Sequence, residues 1–375
     1  MKVSTLFSLL LFVTSLVVSA QERIELTSSD AALLDSLCEV HLKASKIPGI
    51  AVGIVSKGKV LYAKGFGVKN IDTQDAVTTQ SNFHLASISK TFVATAIAQL
   101  AEAGKIDLED PVTKHLPYFQ LKDPRYKDIT IKHLVTHTAG VPDVLGYGWN
   151  KPKHGEDALE KYVRKLKKRG IKFTPGSDWS YSNNGFEVLG DVIAKASGMS
   201  FEQYIKTQIF EPLGMDQTSF IRSEIQEKYA TSPHVKRPGI KVSKVYPYNR
   251  EHAPSSTLNS NVEDMLHYAL MYLNKGEFNG KRLFSEASYE LITTEHWSFD
   301  EEYGVGLSWF MGPASWRKND GRRITHSGQD TGYQSWLGIL PEKSWAMIVL
   351  YNGDWKIPPS SLIFDAAYDM AKRYD

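Results

Sequence analysis

Two pairs of strand-like segments, one near each end of the chain, restrict the possible folds more than any other feature. Both pairs are rich in aliphatic and aromatic residues and enclose short turns, and they comprise residues 50–55 with 60–66 and residues 334–340 with 345–351. Helical patterns border them at 29–45 and at 360–372. Because each hairpin must bury an apolar face, we expect one antiparallel sheet built from both termini and covered by the terminal helices.

The middle of the chain, from about residue 87 to residue 285, has mostly helical patterns. Residues 91–103 are apolar on nearly every side, which indicates a helix buried all round, and Gly104 ends it. The sequence therefore predicts an α/β (α+β) fold. Residues 21–86 and 286–375 form a sheet domain, and residues 87–285 form an inserted all-helical domain.

Composition and charge exclude several classes of protein. With 375 residues, 42% of them hydrophobic, the chain is long enough for about two domains with a sizeable core. It carries 44 Lys and Arg against 42 Asp and Glu, a formal net charge of +2. No excess charge is left to bind a phosphate backbone or an anionic membrane surface, so nucleic acid is not an expected partner. The basic run at 161–172 accompanies an apolar stripe and is interpreted as the solvated face of a helix.

The first twenty residues have the pattern of a signal peptide. Lys2 precedes an apolar stretch at 6–18, which is too short to span a bilayer, and small residues precede Gln21. We expect an exported protein, periplasmic or secreted, without a stable membrane anchor. The alternative is a buried N-terminal helix of a cytosolic protein. Cys38, the one cysteine, lies in an apolar helical pattern and is interpreted as a core residue rather than a nucleophile.

Candidate chemistry begins with the pattern Ser-x-x-Lys, which places an amine next to a hydroxyl when both lie on a helix. It occurs at Ser56-Lys59, Ser87-Lys90 and Ser315-Lys318. Only the Ser87 pair opens a buried helix, where free N–H groups stabilise an oxyanion and where burial lowers the pKa of a lysine. On this pattern alone, a structural N-cap serine and a surface lysine are equally acceptable.

Two further motifs favour a catalytic role. Tyr181-Ser182-Asn183 lies in a loop region just before a helical run, where a tyrosine hydroxyl can reach a cleft. His326-Ser327-Gly328 directly precedes the first of the two C-terminal strands, and Gly328 would let a substrate lie against that strand. His133 and His137 have the i, i+4 spacing of metal ligands on a helix, but their surroundings indicate a helix end and a turn.

In these three motifs and their order, the chain resembles the serine β-lactamase and penicillin-binding protein superfamily. The resemblance is closest to the branch of class C β-lactamases, D,D-carboxypeptidases and esterases. It covers roughly residues 30–375, and further matching phrases lie at 83–90, 134–142, 175–190, 212–215 and 303–306. It implies a β-lactamase/transpeptidase-like fold, with the active cleft between the sheet and the helical region and with no metal or organic cofactor.

The resemblance also implies roles for the motif residues. Ser87 would attack a carbonyl and become acylated, while Lys90 and Tyr181 would carry its proton to the leaving group; either of the two is a candidate acylation base. Asn183 would hydrogen-bond Lys90 and the substrate amide. The backbone N–H groups of Ser87 and Gln329 would form the oxyanion hole.

One departure from the family pattern affects the expected substrate. Class C β-lactamases usually have K-T-G as their third motif, and its lysine helps to bind a substrate carboxylate. His326 would keep a hydrogen-bond donor there but loses its charge above about pH 6.5, so carboxylate binding should be weak and pH-dependent. Tyr147 and Trp149 either line the cleft or cover the helical domain.

The sequence thus predicts an exported serine hydrolase that cleaves an amide or ester of a small molecule or peptide through an acyl-enzyme on Ser87. The alternatives are a D,D-carboxypeptidase or D-aminopeptidase acting on cell-wall peptides, a β-lactamase, and a catalytically silent binding module of the same fold. The last predicts at least one degraded motif, and it would be favoured by a Ser87 hydroxyl much farther than about 3.2 Å from both the Lys90 amine and the Tyr181 hydroxyl. The oligomeric state is left open.

Overall fold

An eight-stranded antiparallel sheet contains strands from both ends of the chain. This computed structural model describes residues 22–313, 321–357 and 360–374. The strand order is β2-β1-β14-β13-β12-β11-β10-β9. The strands are β1 Gly49–Ser56, β2 Lys59–Gly67, β3 Phe83–His84, β4 His234–Lys236, β5 Ile240–Val242, β6 Asn259–Ser260, β7 Glu277–Phe278, β8 Lys281–Arg282, β9 Trp297–Ser298, β10 Gly304–Val305, β11 Phe310–Pro313, β12 Arg322–Asp330, β13 Tyr333–Leu340 and β14 Trp345–Tyr351.

The helices lie on both faces of this sheet and between its two halves in the sequence. They are α1 Ser28–Ser45, α2 Ser89–Glu102, α3 Val112–His115, α4 Ile131–Val135, α5 Ala158–Lys165, α6 Asn183–Ser197, α7 Phe201–Ile205, α8 Glu211–Leu213, α9 Ala253–Ser256, α10 Val262–Leu273, α11 Glu286–Thr293 and α12 Ser361–Ala371. Among the described residues, no helix is long and apolar enough to cross a membrane.

The central strands are covered on both faces, which explains why every residue of β1 and β14 is buried. Alternate residues of β1, such as Ile50 and Val52, pack with α1 and α12, while Ala51 and Val55 face the larger core that includes α2 and α10. The predicted sheet from both termini is confirmed. Cys38 is fully buried in the smaller core, as expected, and burial raises the pKa of its thiol to about 12.

The region from 87 to 285 differs from the expected all-helical insertion. It contains two short hairpins, β4 with β5 and β7 with β8, and α10 packs on β1 and β14 as part of the sheet layer. The helix α10 is apolar enough to pack either among other helices or on a sheet, so its sequence pattern does not distinguish the two positions. The domain boundaries at 86 and 285 stay a prediction. The signal peptide and the pair Ser315-Lys318 lie outside the described residues.

Candidate active site

The nucleophile candidate Ser87 lies in a single 3-10 turn, Ala86–Ile88, directly before α2. The helix itself begins at Ser89, two residues later than the pattern suggested. Ala86 has a left-handed backbone with φ of +48°, which costs an alanine about 1–2 kcal/mol. Ser89 stabilises this conformation, because its hydroxyl donates to the Ala86 carbonyl at 2.6 Å and accepts from the Leu258 N–H at 3.1 Å.

Strand β12 supports this turn from the other side. A Cβ atom on Gly328 would lie 2.2 Å from the Leu85 carbonyl oxygen and 2.9 Å from the Ser87 nitrogen. The neighbouring strand adds a hydrogen bond, since Ser335 Oγ donates to the same Leu85 oxygen at 2.7 Å. The sequence predicts that Gly328 makes room for substrate; in the structure its missing side chain makes room for the turn that carries Ser87.

Lys90 holds its amine against the Ser87 hydroxyl. Its Nζ donates to Ser87 Oγ at 3.1 Å and to the Ser255 carbonyl at 2.7 Å, and the side chain is fully buried. Burial lowers the pKa of Lys90 from its ordinary value to about 7, because the charged amine loses its hydration. Near neutral pH a large fraction of these amines is therefore uncharged and able to accept the Ser87 proton.

Tyr181 completes the group around Ser87. Lys90 Nζ lies 5.0 Å from the centre of the Tyr181 ring. Burial raises the pKa of Tyr181 above its ordinary value, an effect that its hydrogen bond with Ser87 opposes. The phenol thus keeps its proton at neutral pH and is able to donate it. The structure brings together the three residues that the sequence singled out.

A buried carboxylate beneath Lys90 was not predicted from the sequence. Ser255 connects the two: its carbonyl accepts from Lys90, and its hydroxyl donates to Glu187 Oε1 at 2.6 Å. His252 Nδ1 lies 3.0 Å from the same oxygen, while Glu187 Oε2 is buried without a partner. The available signal was the charged position of Glu187 within an apolar helical run, at 186–189. Nothing in the sequence pointed to Ser255.

Asn183 has different partners from those expected. Its side-chain amide donates to Asp143 Oδ1 at 2.9 Å, and its backbone N–H donates to the same oxygen at 2.8 Å. Its own Oδ1 is buried without a hydrogen-bond partner, so the expected bond with Lys90 is not formed. The reason is that Lys90 already points at Ser255. Asn183 Oδ1 stays available to a substrate N–H.

His326 departs from the expected donor role. Its Nδ1 lies 2.8 Å from the Ser327 carbonyl oxygen, which can only accept, so Nδ1 carries the proton of the neutral ring. Nε2 is then a bare acceptor, and it is buried without a partner. Burial, with the nearby charge of Lys90, lowers the pKa of His326 to about 3. At neutral pH this residue offers a substrate carboxylate neither charge nor donor.

The pair His133 and His137 is held by the backbone and not arranged around an ion. His133 Nδ1 accepts from the Thr130 N–H at 3.2 Å, and His137 Nδ1 accepts from the Ser182 N–H at 3.1 Å. Within the described part of the chain, no group of three or more His, Cys, Asp or Glu side chains is placed to hold a metal.

The remaining predicted residues lie around the cleft. Tyr147 and Trp149 stack at 4.5 Å, and Tyr147 packs edge-on against His252 at 4.9 Å. Both are half-buried and lie on the side where His252 contacts Glu187. Their contact with a substrate stays a prediction. Gln329 is exposed, and its side chain donates to the Asp354 carbonyl at 2.8 Å. Its backbone N–H stays the predicted second oxyanion donor.

This arrangement can perform acyl transfer. A serine beside a largely neutral lysine can be deprotonated, and a protonated tyrosine next to it can supply a proton to a leaving group. Together with the antiparallel sheet and its helices, this geometry defines the β-lactamase/transpeptidase-like superfamily of serine hydrolases, to which penicillin-binding proteins also belong.

Comparisons with known proteins agree. A sequence model of the family Beta-lactamase matches residues 34–367, and the chain belongs to that family. It is similar to the protein flp of Staphylococcus aureus strain COL, with 27% identity over 87% of this chain, and to the putative penicillin-binding protein PbpX of Bacillus subtilis, with 33% identity over 74%. The chain covers 64% and 65% of their respective lengths.

A solved structure is similar over most of the fold. The octameric penicillin-binding protein homologue from Pyrococcus abyssi superposes with a TM-score of 0.77 and 29% identity. The match covers 92% of this chain and 77% of that chain. The predicted fold class is thereby confirmed.

Proposed function

We propose that this protein hydrolyses an ester or amide through an acyl-enzyme on Ser87. The observation that carries the proposal is the 3.1 Å contact between Lys90 Nζ and Ser87 Oγ, formed by a fully buried amine. That distance lies within hydrogen-bond reach, unlike the separation expected of a silent binding module.

Lys90 is the better candidate for the acylation base. Burial lowers the pKa of Lys90 to about 7 but raises that of Tyr181, so at neutral pH the amine is the group with a free lone pair. Ser87 Oγ bonds to the carbonyl carbon and its proton passes to Lys90. As the bond to the leaving group breaks, Tyr181 protonates that group and regains a proton from Lys90. Water then attacks the acyl carbon, the bond between that carbon and Ser87 Oγ breaks, and a proton of the water passes to Oγ.

The substrate class is proposed as an ester or amide in preference to a β-lactam or a D-Ala-D-Ala peptide. The latter two carry a carboxylate, which in class C enzymes a lysine of the third motif helps to bind. Here His326 is neutral, with its one ring proton directed at a backbone carbonyl. Histidine at this position also supports placing the chain nearer the carboxypeptidase and esterase members of the proposed branch than its class C β-lactamases.

The proposal is tested by labelling and by turnover. The mature protein is incubated with a fluorophosphonate, with a fluorescent penicillin and with p-nitrophenyl acetate, and intact-mass spectrometry locates any adduct. We expect labelling and hydrolysis that Ser87→Ala abolishes, and Ser56→Ala, at the end of β1, serves as the matched control. Hydrolysis that survives in Ser87→Ala would refute the mechanism. A panel of short esters, D-Ala-D-Ala peptides and nitrocefin separates the alternatives.

We further propose export to the periplasm or the medium, supported by the pattern of residues 1–20. Expression of the full chain in a bacterial host, followed by fractionation and N-terminal sequencing, tests it. We expect a mature chain that begins at Gln21 outside the cytoplasm. A full-length chain retained in the cytoplasm would contradict export.

A further inference from the structure

Three aromatic rings connect the second motif to the third and form what we call the aromatic wall: Trp179, Phe299 and Phe310. Trp179 lies 6.5 Å from the Tyr181 ring, 4.9 Å from Phe299 and 6.2 Å from Phe310, measured between ring centres. Phe310 in turn lies 5.4 Å from the His326 ring. Phe299 is 42% exposed, so a bound molecule can reach the wall from solvent.

The position of the wall relative to Tyr181 identifies which part of a substrate meets it. In the proposed mechanism Tyr181 protonates the leaving group, so that group lies against this tyrosine when the bond breaks. Trp179 is two residues before Tyr181, and its ring is next to it. A leaving group at the tyrosine hydroxyl is therefore beside the wall.

The charges around this place are unfavourable to an anion. The three charged groups with the largest effect on the pKa of Tyr181 are Asp143, Asp330 and Glu187, and all three raise it. Lys90 is the amine that interacts with these three carboxylates, and burial lowers its pKa to about 7, so its positive charge is only partly present at neutral pH. A carboxylate bound here would lose hydration. The nearby Lys172 amine, which donates to Ser180 Oγ at 2.7 Å, is exposed to solvent and would attract it only weakly.

The polar atoms beside the wall are uncharged. His326 Nε2 is an acceptor and Trp179 Nε1 is a donor, and both are buried without a partner. A neutral polar substituent can satisfy such atoms, while a carboxylate can use only the indole N–H. Apolar rings of a ligand gain further contact with the wall, since aromatic pairs are worth more than their buried area alone.

Building on the proposed acyl-enzyme mechanism, we propose that the aromatic wall is a leaving-group subsite, which selects an uncharged aromatic or apolar leaving group over one that carries a carboxylate. The natural substrate class is then a neutral ester or amide with such a group on the leaving side.

Two substrates that differ in one charge test this selection. Methyl 4-acetoxybenzoate and 4-acetoxybenzoate release the same ring, neutral in the first and anionic in the second. Each kcat/KM is divided by the rate constant for hydroxide, which removes the difference in intrinsic reactivity. We expect the wild-type protein to prefer the neutral ester by about tenfold or more, since like charges brought together are disfavoured. Equal or faster turnover of the anionic ester would overturn the proposal.

Variants of Phe299, the exposed ring, test whether the preference for the neutral ester arises at the aromatic wall. Phe299→Lys should raise the relative rate of the anionic ester about two- to fivefold and Phe299→Glu should lower it, as expected for a partly exposed charge pair. Phe299→Ala should lower kcat/KM for phenyl acetate, relative to vinyl acetate, about two- to tenfold through loss of ring contact. Leu362→Ala, which removes a 68% exposed side chain from α12, should change neither ratio.

The outcomes separate this inference from the proposed function. If no ester is hydrolysed and Ser87 is never acylated, the proposed function fails. If esters are hydrolysed through Ser87 but Phe299→Lys and Phe299→Glu leave the charge preference unchanged, the mechanism stands and the subsite is refuted. Circular dichroism of each variant confirms that it is folded before its ratios are compared.

Discussion

Replacing Lys90 by methionine should abolish activity and, below neutral pH, make the protein more stable. Methionine has a similar length and no charge, so it removes the cost of holding an ammonium group in a buried site. The fall in the pKa of Lys90 from 10.5 to about 7 corresponds to about 5 kcal/mol at 1.36 kcal/mol per pKa unit. Methionine cannot donate to the Ser255 carbonyl, and the loss of this hydrogen bond offsets about 1–3 kcal/mol of the gain in stability.

The pH dependence follows from the direction of the shift. The unfolded chain holds the Lys90 proton up to about pH 10.5, while the folded chain releases it near pH 7. Between these values the unfolded state binds more protons, so the free energy of unfolding of the wild type rises with pH. Below pH 7 the wild type bears the full cost of burying a charged amine, and Lys90→Met should be the more stable protein by about 2–4 kcal/mol. By pH 10 this advantage should have disappeared.

Urea unfolding followed by tryptophan fluorescence, from pH 6 to pH 10, measures the difference. Lys43→Met is the matched control because Lys43 is an exposed residue near the end of α1, and its curve should run parallel to the wild type. A difference between wild type and Lys90→Met that stays constant with pH would show that the amine is not desolvated. The reasoning about the base would then be wrong.

Three further changes test other parts of the site. Glu187→Gln removes a carboxylate that favours the charged amine of Lys90, so the acidic limb of the kcat/KM profile, expected near pH 7, should move to lower pH; an unmoved limb would contradict this coupling. Tyr181→Phe should lower kcat for alkyl esters by about 10²- to 10⁴-fold, with a smaller loss for p-nitrophenyl esters, whose leaving group needs no proton; equal losses would argue against proton donation. Gly328→Ala should reduce both acylation rate and melting temperature because its Cβ meets the Leu85 carbonyl, while Gly146→Ala, in open space, should change neither.

The sequence predicted the elements with strong local patterns. The two terminal hairpins follow from segments rich in β-formers around short turns, and α2 follows from apolar residues on all its sides. The short pairs at 234–242 and 277–282 were missed, because strands of two or three residues are too short to show a period.

The candidate active site was predictable from the sequence only where its residues lie close together along the chain. Ser87 and Lys90 are one helical turn apart, so spacing alone places them together. Glu187 and Ser255 join them through contacts between distant parts of the chain, which spacing does not encode. The tautomer of His326 was likewise fixed by a backbone carbonyl whose position depends on the folded strand.

Because Gly328 fits closely against the turn before α2, the orientation of the Ser87 hydroxyl depends on residues from both ends of the chain. The residues that support this turn, Gly328 and Ser335, are synthesised some 240 residues after Ser87 itself. A nascent or still unfolded polypeptide therefore contains the serine and the lysine without the surface that orients them. Such a chain should be inert until its final third has docked, so hydrolysis begins only after synthesis and folding are complete.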